Sequence, residues 1–202
     1  MDSPTFPRRD PAQPGFWDLR YEASFAPWEA SHVPSRLRAF VAAHRPEGKV
    51  LVPGCGSARD VAFLAESGWD VVGLDFSAAA LAAAKTAIGP HAVRLRHGDF
   101  FAPVAEAPFA LVYERAFLCA LPRRLWRDWG KRVAQLLGPG ALLAGFFYFD
   151  AGDRGPPFAL HSQSQLDALL GEAFERTEDA PVEDSIPVFQ GKERWQVWRR
   201  RE

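Results

Sequence analysis

Cysteine is scarce in this chain of 202 residues, and charge of either sign is not in excess. The two cysteines, Cys55 and Cys119, cannot build a disulfide framework of the kind small secreted domains need. Neither has a second Cys or a His at zinc-site spacing, so the sequence points to no metal. Both read as small buried thiols in a reducing cytoplasm. Twenty-four basic residues against 25 acidic ones give a net charge of −1, which removes the electrostatic footprint expected of a nucleic-acid or anionic-membrane binder. The longest apolar run, Ala141 to Phe149, is far shorter than the ~20 residues that cross a bilayer. The opening "MDSPTFPRRDPAQPG" lacks the basic segment and the ~7–15 apolar residues of a secretion leader. The expectation is a soluble, monomeric, cytoplasmic protein with a small-molecule partner. There is no internal repeat, and the alanine run at 78–84 is simply helical.

With 48% hydrophobic and 24% charged residues, the chain is long enough for one globular domain. Residues 1–15, with four prolines, read as a flexible tail, and the domain as 16–202. Leu37, Phe40 and Val41 recur at helical spacing between Pro34 and Pro46, which predicts a helix. "KVLVPG" and "WDVVGLD" are consecutive rather than alternating apolar runs, the pattern of strands covered on both faces of a parallel sheet. A helix from about Ser57 to Ser67 separates them, and Ser77 is placed to cap an alanine-rich helix reaching Gly89. "AVRLRHGD" and "FALVYER" read as strands three and four, residues 122–140 as a helix closed by a Gly-Pro-Gly stop, and "ALLAGFFYFD" as strand five. A short helix over 162–171 and two weaker strands follow, the last being "RWQVWRR". Such alternation specifies an α/β fold: a single-domain, Rossmann-like, doubly wound, mostly parallel sheet with helices on both faces and an antiparallel C-terminal strand.

In sheets of this kind ligands bind beyond the carboxyl ends of the strands, near the point where strand order reverses. "LVPGCGSARD" sits at that edge, and Asp75 follows Gly54 by 21 residues at the end of the second strand. Glycines at the turn let a ligand come close, and an acid ~20 residues on is placed to hydrogen-bond ribose hydroxyls. A ribose-bearing cofactor is implied. The dinucleotide fingerprint asks for a third glycine where Arg59 stands, and the Gly-Lys-Ser/Thr phosphate loop is absent, so both phosphate readings weaken. S-adenosylmethionine, with adenosine but no phosphate, fits better. An NAD-dependent reductase and a binding module without chemistry remain as readings from other classes.

The segment "LVPGCGSARDVAFLAESGWDVVGLDFS" resembles the cofactor-binding region of class I S-adenosylmethionine-dependent methyltransferases, specifically the thiopurine S-methyltransferase family with its halide and thiol methyltransferase branch. "FWDLRYEASFAPWE", "HGDFF", "LVYERAFLCAL" and "DRGPPF" agree, and "SIPVFQGKERWQVWRR" extends the likeness towards the halide and thiol branch. The resemblance implies methyl transfer from S-adenosylmethionine, leaving S-adenosylhomocysteine, to the sulfur of a small thiol or thiolate. Halide or thiocyanate is the alternative acceptor, and no metal is involved. It implies that Gly54 and Gly56 approach the methionyl part, Asp75 takes the ribose, Asp99 and Phe100 flank the adenine, and Tyr113 and Glu114 lie beside the methionine moiety. Trp17, Tyr21 and Trp28 then belong to an aromatic lid over 16–45 that closes on the cofactor. Tyr21 stands where the halide branch often has tryptophan. Arg115 is shared with thiopurine-type members, where the halide pattern has an apolar residue.

Indole faces stabilise a sulfonium by ~0.5–2 kcal/mol, a role open to Trp17 and Trp28. A thiol near its free pKa of ~8.5 is partly ionised at neutral pH, and a guanidinium beside it favours the thiolate. Arg115 is the candidate catalytic group for that, its alternative being an ion pair with Glu114 or another carboxylate. Tyr148, at the end of strand five, is a second candidate, with core packing as its other reading. Asp60 reads either as a partner of the glycine loop or as a solvated charge, and His97 and His161 as structural or surface residues. "RRLWRDWGKR" reads as a solvated helix face over a core stripe of Leu125, Trp129 and Val133.

Overall fold

The computed structural model describes residues 4–202; residues 1–3, the beginning of the expected tail, lie outside the described residues. Residues 4–13 contain no helix or strand, and they lie against the first helix, α1 (Pro14–Glu22). The Trp17 indole N–H donates to the Pro11 carbonyl at 2.8 Å, and Phe6 packs on Phe25 with ring centroids 5.5 Å apart. Pro14 begins α1 because a proline at the first helical position loses no hydrogen bond.

The remaining elements are α2 (Ser35–Ala43), β1 (Val50–Pro53), α3 (Arg59–Glu66), β2 (Val71–Asp75), α4 (Ala78–Ile88), β3 (Leu95–His97), β4 (Phe109–Arg115), α5 (Trp126–Leu136), β5 (Leu137–Tyr148), α6 (Gln163–Leu170), β6 (Phe174–Pro181) and β7 (Glu193–Arg200). One seven-stranded sheet runs in the order β3-β2-β1-β4-β5-β7-β6. β1 to β5 are mutually parallel, and β7 is antiparallel to both of its neighbours. Every residue of β1 and β2 is buried, as their unbroken apolar runs require. One core packs α5 and α6 on one face of the sheet, and a second packs α2, α3 and α4 on the other. The Ser77 hydroxyl accepts from the Ala80 N–H at 3.1 Å and caps α4.

Two boundaries differ from the sequence reading. Strand three shrinks to Leu95–His97 because Gly89 and Pro90 open a 3₁₀ turn that runs to Arg94. Gly-Pro-Gly does not stop α5: the helix ends at Leu136, and residues 138–140 form a bulge inside β5. The register there jumps from Phe109↔Leu137 to Leu111↔Leu142, with Gly140 in the left-handed region at φ +77°. Leu137, 4% exposed, is drawn into the sheet by burial, and an unpaired bulge absorbs the surplus residues. In β7 apolar and polar residues alternate, yet residues 195–198 are all buried. Gln196 is fully buried, its amide donating to Gln163 at 2.6 Å and its oxygen accepting from the Trp198 indole at 3.1 Å.

The α5 stripe is core as expected, with Trp129 and Val133 at 0% exposure. Gly130 lies on the side of α5 that crosses α6, where an added Cβ would collide with the Leu169 carbonyl. Alanine favours a helix over glycine by about 1 kcal/mol, yet Gly130→Ala is expected to destabilise by about 1–3 kcal/mol because α5 must move off α6. Urea unfolding measures this; a variant as stable as the parent would mean that the crossing is loosely packed.

Candidate active site

Strand order reverses between β1 and β4, where the chain winds one way to β2 and β3 and the other way to β5. Beyond the carboxyl ends of these strands lies a cleft of about 1020 Å³, at the upper end of the ~300–1,000 Å³ of small-molecule sites. Its floor is the turn from β1 into α3. Gly54 (φ +58°) and Gly56 (φ +52°) adopt the left-handed backbone that glycine enters freely. The glycines also leave room for the protein itself. A Cβ at Gly54 would strike the Phe117 ring, and one at Gly56 would lie 2.5 Å from the Tyr21 hydroxyl and 2.8 Å from Glu29 Oε1.

Asp75, 8% exposed, ends β2. Its Oδ2 accepts from the Gly56 N–H at 3.0 Å and its Oδ1 from the Ser77 N–H at 2.9 Å, so one carboxylate ties the glycine turn to the start of α4. Burial pushes its pKa up, partly offset by these backbone donors. α1 reaches the same corner: Asp18 Oδ1 accepts from the Ser77 hydroxyl at 2.7 Å and from the Ala79 N–H at 3.2 Å.

Trp17, Tyr21 and Trp28 converge over the glycine turn. Trp28 meets Trp17 edge to face at 5.4 Å and Tyr21 at 6.1 Å between ring centroids. The Tyr21 hydroxyl donates to Glu29 Oε1 at 2.7 Å, and the Ser57 N–H donates to the same oxygen at 2.8 Å. Burial, then the Glu29 charge, raises the Tyr21 pKa, so its hydroxyl stays a neutral donor. At the other end of the cleft Asp99 Oδ1 accepts from the Phe101 N–H at 2.9 Å. Phe100 packs there against Phe117 at 5.0 Å.

Arg115 reaches the cleft from β4, with 12% of its side chain exposed. Its Nε lies 3.9 Å from Asp60 Oδ2, its guanidinium 4.9 Å from the Phe146 ring, and its buried Nη1 has no partner. Burial opposes its charge, but Tyr113, Asp60 and Glu193 more than offset this and raise its pKa. The expected nearby carboxylate is thus Asp60, not Glu114. Asp60 does not bond the glycine turn; it accepts from the Tyr113 hydroxyl at 3.1 Å.

Nine of the twelve residues expected at the site line this one cleft; Tyr113, Glu114 and Tyr148 do not. Consecutive β-strand residues point to opposite faces, and that sends Tyr113 into the α2–α3 core and Glu114 to the other side. Glu114 Oε1 accepts the Phe117 and Leu118 N–H groups at 2.9 and 3.0 Å. Tyr148 packs on Phe189 at 5.3 Å and donates to Asp150 at 3.1 Å. His97 faces the Phe76 carbonyl, and His161 joins Arg123 and Asp153 at the surface. Cys55 and Cys119 line the cleft, and burial first, then the charges of Asp75 and Glu114 respectively, pushes both thiols up.

Sequence reasoning missed Glu29, Asp18 and Phe117. Each lies within a stretch already singled out for its aromatics or its strand, and a lone acid there carries no periodic or spacing signal. Among the described residues no group of His, Cys, Asp and Glu is placed to hold a metal ion, and no helix is long and apolar enough to cross a membrane.

A parallel sheet with this reversal, a glycine turn at its edge and an acid closing the next strand defines a Rossmann-like enzyme that binds a nucleoside-bearing ligand. The fold matches that of a Burkholderia thailandensis 1,6-didemethyltoxoflavin-N1-methyltransferase, at 18% identity and a TM-score of 0.75, over 100% of this chain and 94% of that one. The chain belongs to the thiopurine S-methyltransferase (TPMT) family, whose sequence model it matches over residues 12–201. Among its relatives, thiocyanate methyltransferase 1 of Brassica oleracea is 29% identical over 192 residues, covering 92% of this chain and 85% of that protein. A thiopurine S-methyltransferase of Vibrio cholerae is 35% identical over 169 residues, covering 73% of this chain and 76% of the relative.

Glu114 gives the site a pH signature. With no cation beside it, burial raises its carboxyl pKa from 4.5 to about 7, against the opposing pull of the Leu118 and Phe117 N–H groups. Between these values the folded chain keeps a proton that the unfolded chain has lost. Stability therefore falls as pH rises from 4.5 to about 7, by about 3 kcal/mol in all. Glu114→Gln keeps an acceptor for both N–H groups and carries no charge. It should flatten that slope and make the protein more stable than the parent at pH 8; denaturant melts across the range would show an unchanged slope if Glu114 were ionised in the fold.

Proposed function

We propose that this protein transfers a methyl group from S-adenosylmethionine to the sulfur of a small thiol or thiolate by direct in-line displacement, acting as a cytoplasmic monomer without metal. The observation that carries the reading is the single cleft in which the glycine turn, the Asp75 carboxylate, an aromatic cover and the Arg115 guanidinium meet. The residues present fit an adenosyl sulfonium: indole faces for the cation, a buried carboxylate at ribose position, an aromatic pair at the adenine end, and room left for an acceptor.

Gly54 and Gly56 keep the floor clear for the methionyl part. Asp75 uses its remaining lone pairs for the ribose hydroxyls, and Asp99 and Phe100 hold the adenine. Residues 16–45, with Trp17, Tyr21 and Trp28, form a lid over the domain 16–202, and Pro11, Ala12 and Gln13 of the tail extend it along the cleft. Tyr113, Glu114 and Tyr148 touch neither reactant; Tyr113 supports Asp60, and Glu114 holds the turn that carries Phe117.

When bound, the donor supplies an electrophilic methyl carbon: a thiolate lone pair forms the new S–CH₃ bond while the electrons of the old bond stay on the departing thioether. Arg115, with an unpartnered Nη1, holds the acceptor as the thiolate, and the lid strips solvent from it. No general base is required once the acceptor is ionised. The relatives named for thiocyanate, together with the C-terminal likeness, favour halide or thiocyanate as a second reading, which the cationic Arg115 does not oppose.

Release of S-adenosylhomocysteine across a panel of aromatic thiols, aliphatic thiols, iodide and thiocyanate decides between them. Turnover with thiols is expected, whereas volatile methyl iodide or methyl thiocyanate as main product would select the second reading. Asp75→Ala should weaken donor binding by about 1.5–3 kcal/mol in calorimetry, and an unchanged affinity would remove Asp75 from the ribose site.

A further inference from the structure

Of the carboxylates that line the cleft, Asp60, Asp75, Asp99 and Asp128 come from the sheet, its helices and its loops, and Glu29 alone belongs to residues 16–45. Its position is fixed through one oxygen only. Oε1 takes the Tyr21 hydroxyl and the Ser57 N–H at 2.7 and 2.8 Å, and it stands over Gly56, 2.8 Å from where a Cβ would be. Neither hydrogen bond neutralises it, since both donors are neutral groups. Among the described residues no lysine, arginine or histidine lies within 4 Å of its oxygens, although Arg115 and Asp60 pair in the same cleft. Glu29 is half-buried and lines the cleft, and among the described residues its Oε2 takes no protein donor, which leaves one carboxylate oxygen beside the glycine turn open to a cationic group in the cleft.

We infer that Glu29 is a binding residue of the donor site: its carboxylate is the counter-charge for the cationic methionyl end of S-adenosylmethionine, an alkyl ammonium or the sulfonium itself. This rests on the donor reading above. The cation over Gly56 falls in the same place as the methionyl part assigned to the glycine turn, and Tyr21 keeps Oε1 engaged so that Oε2 faces the ligand. The lid thereby carries a charge that the donor must satisfy, in addition to its aromatic faces.

The test is calorimetric binding of three ligands to the full chain and to Glu29→Gln, which preserves an oxygen for Tyr21 and Ser57 but removes the charge. S-adenosylmethionine carries both cations, S-adenosylhomocysteine only the ammonium, and methylthioadenosine neither. Glu29→Gln should lose roughly 10- to 100-fold in affinity for the charged ligands and bind methylthioadenosine like the parent. A loss confined to S-adenosylmethionine puts the contact at the sulfonium; a loss shared with S-adenosylhomocysteine puts it at the ammonium. An equal loss for all three ligands would make Glu29 a lid strut and overturn the inference, as would no loss at all. A parent protein that binds none of the three would instead sink the donor reading itself. Glu29→Ala, which drops the Tyr21 and Ser57 hydrogen bonds as well, separates the two contributions: it should additionally weaken methylthioadenosine.

Discussion

The Asp75 carboxylate joins two segments that sequence distance keeps apart, the glycine turn after β1 and the first turn of α4. One oxygen serves each. Because the two N–H groups are otherwise unpaired at helix and turn starts, this single side chain fixes the floor of the cleft before any ligand arrives. Asp18 strengthens the same corner from α1 by accepting from Ser77 and Ala79. α1 is therefore fastened to the start of α4, and the hydrogen bonds from Tyr21 and Ser57 to Glu29 tie the segment that follows α1 to the glycine turn.

β4 organises the opposite wall by alternation. Residues 113, 114 and 115 point in turn to the α2–α3 core, to the turn at 117–120 and to the mouth of the cleft. Tyr113 holds Asp60, which faces Arg115, and Glu114 holds the N–H groups that position Phe117. Phe117 in turn closes over Gly54 and packs on Phe100. Of these three consecutive residues Arg115 alone lines the cleft, and the other two position its surroundings.

The architecture was legible because buried parallel strands carry unbroken apolar runs and helix starts carry caps, as at Ser77. The glycine turn and Asp75 were legible from spacing alone. What escaped is long-range. Nothing in the local sequence says that Gly-Pro-Gly after α5 will be swallowed into β5, since the decision lies with the burial of Leu137 against Phe109. Gln196 looks like a solvent-facing residue and is covered by α6 through Gln163. Tyr113 and Glu114 point to opposite faces of β4 and neither lines the cleft, whereas Arg115, on the face of Tyr113 but one step nearer the strand end, does. That depth along the strand is not written in the local sequence.

The rim of the cleft is made from the two ends of the chain. Val188 and Phe189, from the segment between β6 and β7, border the same opening as the tail residues Pro11 to Gln13. Asp184 from that segment accepts the Ser35 N–H at 2.6 Å, at the start of α2. The segment between β6 and β7 is thus tied both to the start of α2 and, through Phe189 on Tyr148, to the end of β5. Phe189 is 2% exposed and clusters with Cys119 and Ile186, so a substitution that reshapes this rim must also be accommodated by the packing beneath it.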